Sequence, residues 1–136
     1  MDIYDQLKRD EGLKLFPYTD TVGKLTIGVG RNLIDKGITA DEADTLLHND
    51  VAEIQAHLAN SLPWFIELNQ PRQGALINMG FNLGVAGLLA FHNTLTLLEA
   101  GDYNGAAKEI LNSRWAGQVG ARATRISEQI RLGSWQ

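Results

Sequence analysis

The sequence predicts an α+β protein: a small β-sheet lobe joined by a long helix to a larger all-α lobe, with a cleft between them. Three observations carry the prediction. Residues 13–34 are rich in Thr, Val, Ile, Tyr and Gly, the composition of short strands and turns. An apolar stripe at helical spacing follows immediately. From there to the C-terminus the pattern is that of successive helices, with no internal repeat and no low-complexity linker.

Residues 2–11 read as a short helix. Ile3, Leu7 and Glu11 fall on one face, so Glu11 continues an apolar stripe, and Gly12 is a natural stop. Asp20-Thr21-Val22-Gly23-Lys24 has the chemistry of a turn. Leu25-Thr26-Ile27-Gly28-Val29-Gly30 alternates as a half-buried strand does, and a hairpin or three-stranded antiparallel sheet is the simplest reading. Thr39 and Glu42 match a capping box. Ala43, Leu46, Leu47, Val51, Ile54 and Leu58 then trace one stripe along about five helical turns. Pro71 suits the first turn of the next helix. That helix is apolar nearly all round through Leu83 (Ala75, Leu76, Ile77, Met79 and Phe81), which predicts the buried centre of the larger lobe. Asn93 and Asp102 are candidate N-caps, and Gly101 and Gly133 candidate stops. The expected organisation is one domain over 1–136. Its sheet lobe covers about 12–38 and the connecting helix about 40–59. The helical lobe covers about 61–136, together with helix 2–11.

Composition narrows the chemistry. With 44% hydrophobic and 21% charged residues the chain is an ordinary globular one. It has no cysteine, which removes disulfides, thiolate catalysis and nearly all structural zinc sites. His48, His57 and His92 lie at no ligand spacing; the first two are about 13 Å apart along one helix. Neither a metal nor a cofactor is expected. No G-x-S-x-G elbow occurs, and Gly28-Val29-Gly30 is too short for a dinucleotide fingerprint; it reads as strand residues leaving room at a cleft. Net charge is −4, with 6 basic against 11 acidic residues in 1–60 and 6 against 5 in 61–136. That balance argues against a nucleic-acid partner. No apolar run is long enough to span a bilayer, and the N-terminus lacks a signal-peptide pattern, so stable membrane insertion is not expected.

Two carboxylates remain. Glu11 sits at the carbonyl end of a helix on a face that would otherwise be buried; both conditions disfavour its charge and suit a proton donor. Equally, it could be a helix-end glutamate satisfied by an arginine. Asp20 opens a turn, where Asp commonly bonds its own backbone. Thr26 would face the opening, though an isolated Thr in a strand is often just a good strand former.

Taken together, Glu11, Asp20 and Thr26 stand within E-G-L-x5-Y-x-D-x2-G-x2-T-I-G-x-G, and this pattern resembles the phage-type lysozymes, the endolysins of glycoside hydrolase family 24. The similarity extends along nearly the whole chain. It includes Gly37–Ala43, Asn78-Met79, Phe81, Asn82 and Gly84, Phe91–Leu95, Ser113-Arg114-Trp115, Arg122, Arg125 and Gly133-Ser134-Trp135. The resemblance implies a lysozyme-like fold. It also implies hydrolysis of the β-1,4 bond between N-acetylmuramic acid and N-acetylglucosamine in peptidoglycan, with inversion and bacterial lysis. Glu11 would then protonate the glycosidic oxygen while Asp20 and Thr26 hold the attacking water. Arg122 matches an arginine that pairs with the catalytic Glu, and Asn32, Phe81 and Thr94 match saccharide-contacting positions. At two places the chain departs from the pattern: Asn32 replaces a Leu, and Glu109 replaces a neutral amide. The chain is also compact near Leu33–Lys36, where longer relatives carry extra helix, and its pI near 5.3 removes the basic charge that draws many relatives to an anionic wall.

The same resemblance implies a monomer made in the bacterial cytoplasm. It would act on glycan strands of the wall after release, with a separate pore-forming protein as the family-level expectation for opening the way. Two alternatives stand beside the hydrolase. One is a lytic transglycosylase, which needs the acid but not the water-holding pair; the other is a non-catalytic wall-binding module.

Overall fold

A computed structural model describes residues 1–136, and it shows the expected α+β class: eight helices and one three-stranded antiparallel sheet. The chain forms two compact units, Met1–Leu46 and Leu47–Gln136.

The first unit opens with α1 (Ile3–Glu11), whose start is a capping box in which Asp2 and Asp5 each bond the other's backbone N–H. Gly12 ends it with φ of +79°. Next come β1 (Lys14–Thr19), β2 (Leu25–Gly28) and β3 (Arg31–Asn32), in sheet order β1-β2-β3. Tyr18 stands opposite Thr26, and Thr26 opposite Asn32; the β1–β2 register shifts between Lys14 and Tyr18. The long helix α2 (Ala40–Ser61) starts at the expected box: Glu42 N–H donates to Thr39 Oγ1 at 3.1 Å and Thr39 N–H to Glu42 Oε1 at 2.8 Å.

The second unit holds the hydrophobic core. After a 3-10 turn at Phe65–Glu67 come α3 (Gln70–Leu83), α4 (Val85–Leu89), α5 (His92–Glu99), α6 (Tyr103–Leu111), α7 (Arg114–Val119) and α8 (Ala121–Leu132). Leu76 and Met79 of α3 pack with Leu88, Leu98, Ile110 and Ile130 from the following helices. The N-terminal turn of α3 and the far end of α8 are clasped together. Arg72 Nε donates to the Ile130 carbonyl at 2.7 Å, Gln129 Nε2 to the Pro71 carbonyl at 2.7 Å, and Asn69 Nδ2 to the Gly133 carbonyl at 2.9 Å. The Arg72 guanidinium also lies 3.6 Å over the Tyr103 ring.

The α2 stripe lies on one helix as expected, with Leu58 alone buried and Leu46 and Leu47 exposed. Three expectations are corrected. In α3 the burial is one-sided, through Ala75, Leu76, Met79 and Gly80; Phe81 is 47% exposed. An apolar composition all round therefore did not mean burial all round. In α5, Phe91 takes the N-cap position and Asn93 lies within the first turn. Finally, α1 buries none of its residues, so its apolar stripe is not a core face. No helix is long and apolar enough to cross a membrane.

Candidate active site

The chemistry-bearing residues of the first unit are set by one hairpin and the end of α1. Asp20 closes the β1–β2 turn: its N–H donates to the Lys24 carbonyl at 2.9 Å, and its Oδ1 accepts the N–H of Val22 at 3.0 Å and of Lys24 at 2.8 Å. Both bonds fall on one carboxylate oxygen, and Oδ2 takes neither. The turn therefore fixes the side chain while leaving an acceptor available.

Thr26, expected from strand alternation to face an opening, is only 3% exposed. Its hydroxyl turns back to donate to the Lys24 carbonyl at 3.0 Å, which draws the group inward and leaves its lone pairs free to accept. Asp20 and Thr26 thus flank the same residue, Lys24, through its N–H and its carbonyl.

The strand then ends in a glycine turn. Gly28 and Gly30 have φ of +69° and +66°, the left-handed region; Gly28 is the last residue of β2, while Gly30 lies in the turn that follows rather than in the strand. Next to Gly30 lies Glu11: a Cβ added at Gly30 would stand 3.1 Å from Glu11 Oε2. Glu11 itself is exposed, as the final residue of α1. The apolar flank expected for it is absent.

Asn32 is turned to local structure. Its Oδ1 accepts the N–H groups of Ile34 and Asp35 at 3.0 Å each, and its Nδ2 donates to Asp35 Oδ2 at 3.1 Å. Beside it, Arg31 makes a two-pronged pair with Glu42, 2.8 Å on each side, and also donates to the Gly37 carbonyl. The Glu42 carboxyl is held down to about 2, first by the Arg31 guanidinium and then by the Thr39 N–H. Nothing in the one-dimensional spacing singles out this pair, because Glu42 already has a role in the capping box.

In the second unit, Thr94 is buried at 3% exposure and borders a cavity of about 460 Å³. Phe91, Glu109, Asn112, Arg114 and Trp115 also line it. Trp115 is held by its indole N–H, which donates to Asn82 Oδ1 at 2.8 Å, and by an edge contact with Phe91. Arg122 Nε donates to Asn78 Oδ1 at 2.9 Å. No group of three or more His, Asp or Glu is placed to hold a metal ion.

Similarity to known proteins follows the same residues. The family profile described as phage lysozyme matches residues 8–128. The pre-baseplate central spike protein Gp5 of Enterobacteria phage T4 is 33% identical over 98% of this chain, which spans 28% of that protein. A probable T4-type lysozyme of Dictyostelium discoideum is 31% identical over 97% of this chain and 95% of its own length. An endolysin of Salmonella phage P22 is 32% identical over 83% of this chain and 81% of its own. The acid at the end of the first helix, the turn aspartate and the strand threonine all fall inside the matched span, and the chain belongs to the phage lysozyme family.

Proposed function

We propose that the chain is a peptidoglycan hydrolase that cleaves the β-1,4 bond between N-acetylmuramic acid and N-acetylglucosamine by an inverting acid/base mechanism. One observation carries this most. A single short stretch, β2 and the glycine turn after it, runs from the Asp20 turn through Thr26 to Gly30 beside Glu11. The acid and the water-holding pair are thereby tied to one piece of backbone.

On this reading Glu11 delivers its proton to the glycosidic oxygen as the bond to the anomeric carbon breaks. Asp20 Oδ2 accepts a proton from a water, and the Thr26 oxygen accepts a second hydrogen bond from it. The water attacks the face opposite the departing sugar, which gives inversion. Arg122 is the supporting arginine of the family pattern, and Asn78 steadies its guanidinium. Phe81 offers an exposed ring for sugar stacking, while Asn32 and Thr94 act as lesser contacts because their side chains are turned inward or to the local turn. All 136 residues serve as one catalytic domain acting on glycan strands of the cell wall as a monomer, with no cofactor.

Digestion of purified peptidoglycan followed by product analysis tests the proposal. Reducing ends, with the inverted anomer seen first by NMR, are expected. Anhydro-muramic ends would instead identify a transglycosylase, and absence of soluble fragments would leave a wall-binding module.

A further inference from the structure

We propose that Gly30 is a positioning residue for Glu11: the bare backbone of the β2–β3 turn is the wall against which the acid's carboxyl rests. This rests on Glu11 being the proton donor.

A Cβ at residue 30 would stand 3.1 Å from Glu11 Oε2, 3.4 Å from Cδ and 3.5 Å from Cγ. All three contacts fall on one side chain, so the group that a methyl would displace is the acid. Glu11 is exposed and ends its helix, and within the first unit no hydrogen bond holds its carboxyl. A long side chain in that setting has several rotamers open to it. The steric wall at Gly30 is what limits them.

Gly28 separates this role from ordinary turn chemistry. Its φ of +69° matches the +66° of Gly30, yet a Cβ there meets nothing within 4 Å. The two positions share a positive φ, and only one borders the acid.

The test compares Gly30→Ala with Gly28→Ala, reading kcat, KM and Tm. Asn variants at both positions repeat the comparison with a residue that tolerates the left-handed region. A shift of about 1 Å at a reacting group can cost on the order of 100-fold, and the contact at Gly30 calls for a few tenths of that. Gly30→Ala should therefore lower kcat about tenfold with KM within about twofold, whereas Gly28→Ala should lose less than about threefold. Gly30→Ala should also melt below Gly28→Ala, and a Glu11→Ala background should close that gap. If Gly30→Ala alone does not fold, Glu11→Ala should restore it. Equal kcat in the two glycine variants, or a stability gap that survives removal of the Glu11 side chain, would overturn the proposal. Parental turnover in Glu11→Gln would instead remove the acid assignment on which it depends. An inactive Glu11→Gln beside indistinguishable glycine variants would remove the positioning role alone.

Discussion

The two units of this chain are held together by different physics. The buried apolar side chains, from Leu58 to Ile130, all belong to the second unit. In the first unit Thr26 is the one buried residue, and order comes from capping boxes, the Asp20 turn, glycines at positive φ and the Arg31–Glu42 pair. Hydrophobic burial is large and non-directional, so it makes a stable body. Hydrogen bonds and turns contribute less each but fix direction, and on the proposed reading the site aims a proton and a water, which depends on direction. Chemistry and stability are thus largely separable here by mutation.

The sharpest way to break that comparison is Glu11→Gln. Turnover on peptidoglycan should fall on the order of 10²- to 10⁴-fold, the usual weight of a general acid. Because α1 buries nothing, its melting temperature should stay with the parent's; a large drop in Tm would show that the acid also supports the fold. The mirror experiment is Met79→Ala, which should cost about 2–5 kcal/mol in denaturant titration while turnover per folded molecule is kept. A loss below about 0.5 kcal/mol would mean that Met79 is not part of a packed core.

Asp20 sits where the two effects meet. Asp20→Asn keeps an oxygen for the turn bonds and removes the charge, so it should lose activity with little loss of stability. Asp20→Ala should lose activity and about 1 kcal/mol besides, by analogy with a lost cap. Equal stability in the two variants would show that the turn bonds contribute nothing measurable.

A smaller effect is graded with pH. The Glu42 carboxyl lies at about 2 in the folded chain against an ordinary 4.5, so its pairing stabilises fully above about 4.5 and is lost as pH falls toward 2. Glu42→Gln should flatten the acid limb of a Tm-against-pH curve between those values. An unchanged limb would assign the acid sensitivity to other carboxylates. Least of all, Phe16→Ser at an 82% exposed strand position should stay within about 0.5 kcal/mol of the parent.

Much of this was legible in the sequence, for reasons that differ by residue. The Thr39/Glu42 box and the stops at Gly12 and Gly133 are local, so spacing reveals them. The turn role of Asp20 follows from its own short side chain. The strand order could be anticipated because the three strands are adjacent in the chain. The Gly30–Glu11 approach, the Arg31–Glu42 pair and the inward turn of Thr26 were not legible, since each depends on segments meeting in space. The helix stripes misled for a related reason: periodicity marks which residues share a face, while burial depends on what covers that face. Hence α2 carries Leu46 and Leu47 uncovered.

The clasp around Arg72 has a consequence for how the second unit opens. Helix ends commonly fray, and carbonyls at a C-terminal turn are ordinarily left to water. Here those of Ile130 and Gly133 are bonded by side chains from residues about sixty positions earlier, beneath a guanidinium packed on an aromatic ring. Amide exchange in the last turn of α8 should accordingly track disruption of the whole unit, and the tail of the chain would be among the last places where solvent gains entry.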